Sequence, residues 1–281
     1  MSQNTVKIKK RIKSVTGAYK VTSAMKLVST VKLKKWKNKM LASESYNKEL
    51  LEITSLLLKC SKNIKNIYTE PRNEGKRLYI IISSTLGLCG SYNINIFKAS
   101  DVIVKPDDDL IVLGKKGLTH FTKNDYKPLE GFNFTNDILD KDLINALCKH
   151  IVTEYTKKTY KEIHIIYSHY KNSLIFTPTD FKLLPLVNEN SDEDEINFPP
   201  LFEPNKETLI KTLIPIYLRG SIYSKLLESE VCEQASRSNA MENATDNAKE
   251  ILDNLKIEFN KARQSAITQE IIEIVAASKA I

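Results

Sequence analysis

Apolar residues return every third or fourth position along the start of this chain: Ile8, Ile12, Val15 and Tyr19, then Trp36 and Met40, and later Leu50, Ile53 and Leu57. Between about Thr5 and Asn63 the only helix breaker is Gly17. This spacing puts the apolar side chains on one helical face, and roughly 55 residues at 1.5 Å each predict a helix about 80 Å long. The last stretch, 206–281, repeats the pattern through Leu213, Tyr217, Leu226, Val231, Met241, Ala248, Leu252, Leu255, Phe259 and Ile267. Pro215 should kink that helix or mark a late start. Two such helices at opposite ends of one chain suggest an antiparallel coiled coil. Its heptads are imperfect, and Ala235, Ala244, Ala248, Ala262 and Ala266 lie along its seam. Ile267, Ile271, Ile274 and Val275 carry the stripe to the end of the chain, so the terminal helix needs something to bury it.

Between the helices the period changes. "RLYIIISS" (77–84), "DLIVLG" (109–114) and "EIHIIYSH" (162–169) are short β-rich runs separated by helix-like stretches around 91–100 and 137–160. Strands alternating with helices predict parallel pairing in a compact domain. "VNENSDEDEIN" (187–197) and "FPPLFEP" (198–204) read as an acidic surface loop returning to the last helix. The expected fold class is α/β: a long antiparallel coiled coil formed by N- and C-terminal helices, with an inserted Rossmann-like α/β domain. The segments are 1–65, 75–200 and 206–281.

Charge sharpens this picture more than composition does. The net charge is +8, but residues 1–43 hold twelve Lys or Arg and no acid, whereas 221–281 hold ten acids against seven bases. Helices from these two regions would be complementary, although exposed pairs add only about 0.2 to 1 kcal/mol each. The four cysteines, Cys60, Cys89, Cys148 and Cys232, form no CxxC pair, so neither a zinc site nor a disulfide framework is indicated. No signal peptide is visible, and Arg263, Glu270, Glu273 and Lys279 interrupt the terminal helix too often for a membrane anchor.

The search for chemistry finds little. "LGLCGSYN" (86–93) and "GKKG" (114–117) lack the Lys-Ser/Thr of a phosphate loop and the third Gly of a dinucleotide fingerprint, and read as tight strand-to-helix turns. His164 and His169, five apart on a strand, point to opposite faces and cannot easily share a metal. Cys89 has no identifiable base beside it. The basic first helix could neutralise phosphates, but its apolar stripe calls for a protein partner. No catalytic, cofactor or metal residue can be singled out.

Three stretches nevertheless resemble one family. "IKKRIKSVTGAYKVTSAMKLVSTVKLKK" (8–35), "LGLCGSYNINIFK" (86–98) and the pair "SIYSKLLESEVCEQASRSNAMENATDNAKEILDNL" (221–255) with "FNKARQSAITQEIIEIVAASKA" (259–280) are similar to the γ subunits, the central rotor shafts, of rotary F-type ATPases. The Ile-Thr-x-Glu-x-x-Glu ending (Ile267, Thr268, Glu270, Glu273) is the most specific match. Ala277 and Ser278 replace the usual Gly-Ala, Thr85 and Leu86 the usual Asp-Arg, and Ser238 and Asn239 stand where Met and another residue are common.

The resemblance implies a non-catalytic subunit whose terminal helix enters a hexamer of three α and three β subunits. Apolar contacts would come from Ile274, Val275 and their neighbours, and polar ones from Arg263, Gln264, Thr268 and Glu270. Met25 and Lys26 would face an acidic loop of the β subunits. ATP or ADP and Mg would be bound by α and β and no cofactor by this chain, while the ε subunit and a membrane ring would hold the α/β domain. The complex would sit on the cytoplasmic side of a membrane. A diverged rotor driving work other than proton transport, a basic coiled-coil nucleic-acid-binding protein and an enzyme built on the α/β domain are the alternatives.

Overall fold

The computed structural model describes residues 3–61, 67–132, 139–186 and 200–278. The acidic stretch 187–197 lies outside them. Nine elements follow one another: α1 (Gln3–Lys59), β1 (Lys76–Ile82), α2 (Tyr92–Ile103), β2 (Asp109–Leu113), α3 (Lys115–Lys123), α4 (Lys141–Thr156), β3 (Tyr160–Tyr170), β4 (Phe176–Leu184) and α5 (Lys206–Ser278). Two compact units emerge, one of residues 1–31 with 237–281 and one of residues 32–236.

The larger unit is built on a four-stranded sheet of order β2-β1-β3-β4. β1 runs parallel to β2 and β3, as the alternation of strands and helices predicts, with Ile80 opposite Ile111 on one side and Ile165 on the other. Both faces are covered. Leu78, Ile80, Ile82, Ile163 and Ile165 pack against α4, the first turns of α5 and Leu57 of α1. Tyr79, Ile81, Leu110, Val112 and Ile166 pack against α2 and α3. Burial on both sides explains why these strands read as unbroken apolar runs, each Ile or Leu contributing about 1.5 to 3 kcal/mol when fully buried.

Four features add to or depart from the sequence reading. β4 is antiparallel to β3, pairing Tyr167 with Thr179 and Tyr170 with Phe176 at the sheet edge. "GKKG" is the strand-to-helix turn expected, but the helix it opens, α3, with Gly114 as N-cap residue, was not among the expected helical stretches. α5 does not start late: it begins at Lys206 and runs through Pro215. A proline inside a helix costs about 3 kcal/mol or more, but Ile214 and Leu218 beside Pro215 are fully buried, so core packing carries the helix through. α4 starts at Lys141 rather than 137 because the Asp140 carboxylate caps it, accepting from the Asp142 N–H at 2.9 Å.

In the smaller unit α1 and α5 run antiparallel. Thr22 meets Thr245 at 3.0 Å, Lys26 meets Glu242 at 2.7 Å and Thr30 meets Ser238 at 3.0 Å, so the α5 partner steps back as α1 advances. The shielded positions of α1 alternate by three and four, at Thr5, Ile8, Ile12, Val15, Tyr19, Thr22, Lys26 and Ser29. Those of α5 do the same at Met241, Thr245, Ala248, Leu252, Leu255, Phe259, Ala262 and Ala266. This is a heptad seam in which hydroxyls and small residues replace many of the usual large ones.

Candidate functional site

Followed toward the start of α1, the pairing register runs out near Gln264 to Ala266, where Gln3 ends the first helix. Beyond that point α5 continues without α1. Every residue from Ile267 to Val275 is exposed, including Ile267 at 48 %, Ile271 at 55 % and Ile274 at 68 %. A helix tip carrying five large exposed aliphatic side chains (Ile272 and Val275 complete the set) is an unsatisfied apolar surface.

The polar candidates lie around this tip. Arg263 and Gln264 are exposed and make no side-chain hydrogen bond or ion pair among the described residues. Thr268 donates its hydroxyl to the Gln264 carbonyl at 2.9 Å, and Gln269 donates to Glu273 at 3.0 Å. Glu270 is exposed on the same turn. Met25 and Lys26 are not part of this cluster. Lys26 sits opposite Glu242, and the rise from Glu242 to Arg263 along α5 is about 30 Å. The hydrogen bond that the Lys26 ammonium donates to Glu242, with a smaller Coulombic share, raises the Lys26 pKa and keeps the ammonium charged. Met25 is half-buried beside it. The candidates thus form two separated levels, tip and mid-seam, and Glu242, which sequence reasoning missed, belongs to the second.

In the larger unit the obvious place for a ligand is occupied by the chain itself. Sheets of this kind bind ligands at the carboxyl ends of the strands, where strand order reverses, here between β1 and β3. The β1–β3 ladder ends at Ile81 opposite Ile166. Just past it, the Ser168 N–H donates to Ser229 Oγ at 3.2 Å, and the Cys232 thiol donates to the Ser168 carbonyl at 3.3 Å. Tyr92 donates its hydroxyl to the same Ser229 Oγ at 3.2 Å, and Ser236 donates to the Cys89 carbonyl at 2.6 Å. α5 therefore supplies the hydrogen bonds that a further stretch of strand would have made. Ser229, Cys232 and Ser236, small residues at helical spacing, are the signal that could have revealed this seam.

The glycines of "GKKG" have a packing cause as well. A Cβ on Gly114, whose φ is +97°, would lie 2.1 Å from the Ser83 carbonyl oxygen, and one on Gly117 would lie 2.4 Å from Ser83 Oγ. They let α3 close onto the end of β1, where Ser83 Oγ accepts from the Gly117 N–H at 2.9 Å. In "LGLCGSYN" the turn uses positive φ at Leu88 and Gly90. Cys89 is buried there and accepts from Asn93 at 3.2 Å.

The remaining reactive groups are held in structural roles. Burial pushes the Cys148 thiol up to about 11 and that of Cys232 higher still, so both stay protonated at neutral pH. His164 pairs with Asp180 of β4 at 2.9 Å, and His169 pairs with Glu228 of α5. Among the described residues no three His, Cys, Asp or Glu side chains come together as a metal site.

Comparison with known proteins agrees with this architecture. A family model described as ATP synthase matches residues 4–281. The ATP synthase gamma chain of Malacoplasma penetrans is 38 % identical over 280 residues, covering 97 % of each chain. That of Clostridium novyi is 33 % identical over 279 residues, covering 98 % of this chain and 97 % of its own. Among solved structures, the central stalk/c-ring structure of the Tetrahymena thermophila mitochondrial ATP synthase contains a chain with TM-score 0.56 and 24 % identity. The match covers 80 % of this chain and 99 % of that one. A chain of the Euglena gracilis mitochondrial enzyme gives TM-score 0.55 at 18 % identity, covering 88 % and 94 %. These structural matches speak for the fold.

Proposed function

Because this chain belongs to the ATP synthase gamma-chain family, we propose that it is the central shaft of a rotary F-type ATPase and couples rotation to nucleotide affinity without catalysing a reaction itself. The observation that carries the reading is the apolar tip of α5 beyond its partner helix. Apolar contacts are non-directional, so a greasy sleeve formed by three α and three β subunits can hold this tip at every angle. Arg263, Gln264, Thr268 and Glu270, just behind it, would make the angle-dependent polar contacts with β, and Met25 and Lys26 a second set lower on the shaft. ATP or ADP with Mg would bind to α and β alone.

An asymmetric shaft meets three otherwise equivalent β subunits differently and thereby biases each toward a different nucleotide affinity. Driving one site from 1:99 to 99:1 between two states takes about 5.5 kcal/mol of differential contact, which two separated levels of contact can share. The α/β domain would meet the ε subunit and the membrane ring. The chain would then be a peripheral component on the cytoplasmic side of the membrane, and no described helix is long and apolar enough to cross one. The crevice filled by α5 argues against an enzyme of the α/β domain, and the exposed aliphatic tip argues for a protein partner over nucleic acid.

Co-expression with the α and β subunits of the same genome tests this. A complex of mass 3:3:1, with ATP-driven stepwise rotation of a bead on an engineered cysteine at Val102, which is 86 % exposed, is the expected result. Failure to co-assemble would overturn it.

A further inference from the structure

The rotor role leaves unused a groove in the larger unit between α1, α4 and α5, with a volume of about 520 Å³. Each helix turns one face into it. Trp36, Lys39 and Tyr46 come from α1, Lys141 from the first turn of α4, and Arg219 and Tyr223 from α5. No carboxylate lines it among the described residues. Some cations elsewhere in this unit have counter-ions: Lys76 with Asp109 at 3.0 Å, Arg77 with Glu162 at 2.7 Å, Lys225 with Glu228 at 3.6 Å. Lys39, Lys141 and Arg219 have none among the described residues. Asp140 and Asp142 flank Lys141 in sequence, but the Asp140 carboxylate caps α4 and neither lines the groove.

The walls suit a flat ring. Trp36 and Tyr223 are half-buried, and Lys39 Nζ lies 4.8 Å from the centre of the Trp36 ring. The floor is closed where α5 meets α1 at Gly220, whose Cβ would touch Leu50 Cδ2 at 3.0 Å. Three cations with no counter-ion among the described residues, beside aromatic faces and in a volume typical of small-ligand sites, call for an aromatic anion. We propose that this groove binds a nucleoside phosphate, with the base against Trp36 and Tyr223 and the phosphates among Arg219, Lys39 and Lys141. A compact cavity with its charge converging from three helices fits a small molecule better than an extended acidic peptide. The proposal stands apart from the rotor reading, and its failure would leave that reading intact.

Trp36 is the only tryptophan of the chain, so its intrinsic fluorescence in the purified full-length protein reports on this groove alone. ADP should quench it saturably at sub-millimolar concentration, with adenosine and tripolyphosphate each binding more weakly than ADP. Added salt should loosen ADP. Arg219→Ala and Lys141→Ala should each weaken ADP about tenfold, which corresponds to about 1.4 kcal/mol, with an unchanged far-UV circular dichroism spectrum. Quenching that stays linear in ADP, or that is the same in both variants, would overturn the proposal. Binding of a Glu-rich aromatic peptide more tightly than ADP would also overturn it and mark the groove as a protein-docking surface.

Discussion

Replacing Ser229 by alanine removes one hydroxyl that accepts two buried donors, the Ser168 N–H and the Tyr92 hydroxyl. Tyr92 is 1 % exposed and Ser168 2 %, so water cannot replace the lost acceptor. A buried donor left without a partner costs about 1 to 3 kcal/mol, which puts the substitution at roughly 2 to 6 kcal/mol for the two. For a protein of this size each kcal/mol lowers Tm by about 2 to 4 °C. Urea unfolding followed by Trp36 fluorescence measures the loss in the unit that contains the seam. The decisive control is Tyr92→Phe in the Ser229→Ala background: it deletes one orphaned donor and should recover about 1 kcal/mol, although Tyr92→Phe alone destabilises. If Ser229→Ala costs under about 0.5 kcal/mol, or Tyr92→Phe costs the same in both backgrounds, α5 does not serve the end of the sheet as a surrogate strand.

Gly114→Ala should prevent folding of the larger unit or cost more than about 3 kcal/mol, read as loss of soluble protein, because the new Cβ meets the Ser83 carbonyl and φ is positive. Burial alone would raise the Glu162 carboxyl, but hydrogen bonds from Lys182 and Arg77 outweigh it and hold the pKa at about 2. Its contribution is therefore present above the ordinary carboxylate range and lost as pH falls toward 2; Glu162→Gln should flatten the acid limb of stability between about pH 4.5 and 2 in acid-unfolding curves. Deleting 262–281 should weaken assembly and torque while leaving the urea midpoint of the larger unit, read by Trp36 fluorescence, unchanged. Lys26→Glu should disturb the mid-seam and Glu242→Lys in the same chain should restore it, measured as co-assembly at low salt.

The long helices and the three parallel strands were legible because their cause is local: a period of three to four for α1 and α5, and unbroken apolar runs for strands buried on both faces. β4 was not, since an edge strand buries only part of itself and "FTPTDFKLL" carries Pro178, Asp180 and Lys182. α3 was hidden by Gly117, which looks like a breaker but is required by the approach of Ser83. Of the site, the aliphatic tip showed in the stripe of Ile267, Ile271 and Ile274, while the pairing of Lys26 with Glu242 depends on a register between residues 216 positions apart. The seam of Ser229, Cys232 and Ser236 showed only as small residues at helical spacing; its partners, the Tyr92 hydroxyl and backbone groups of Ser168 and Cys89, are distant in sequence and no pattern announces them.

That seam also bears on how the protein is made. A ribosome finishes the sheet long before it reaches Ser229, yet the end of β3 and the turn at Cys89 get their hydrogen bonds from α5, and Ile210, Ile214 and Leu218 complete the core below. The nascent chain must therefore hold an incomplete sheet with a half-covered apolar face until about its last quarter emerges. Its folding is governed by these late, long-range contacts, and chaperone dependence should be greatest in the interval between β4 and α5.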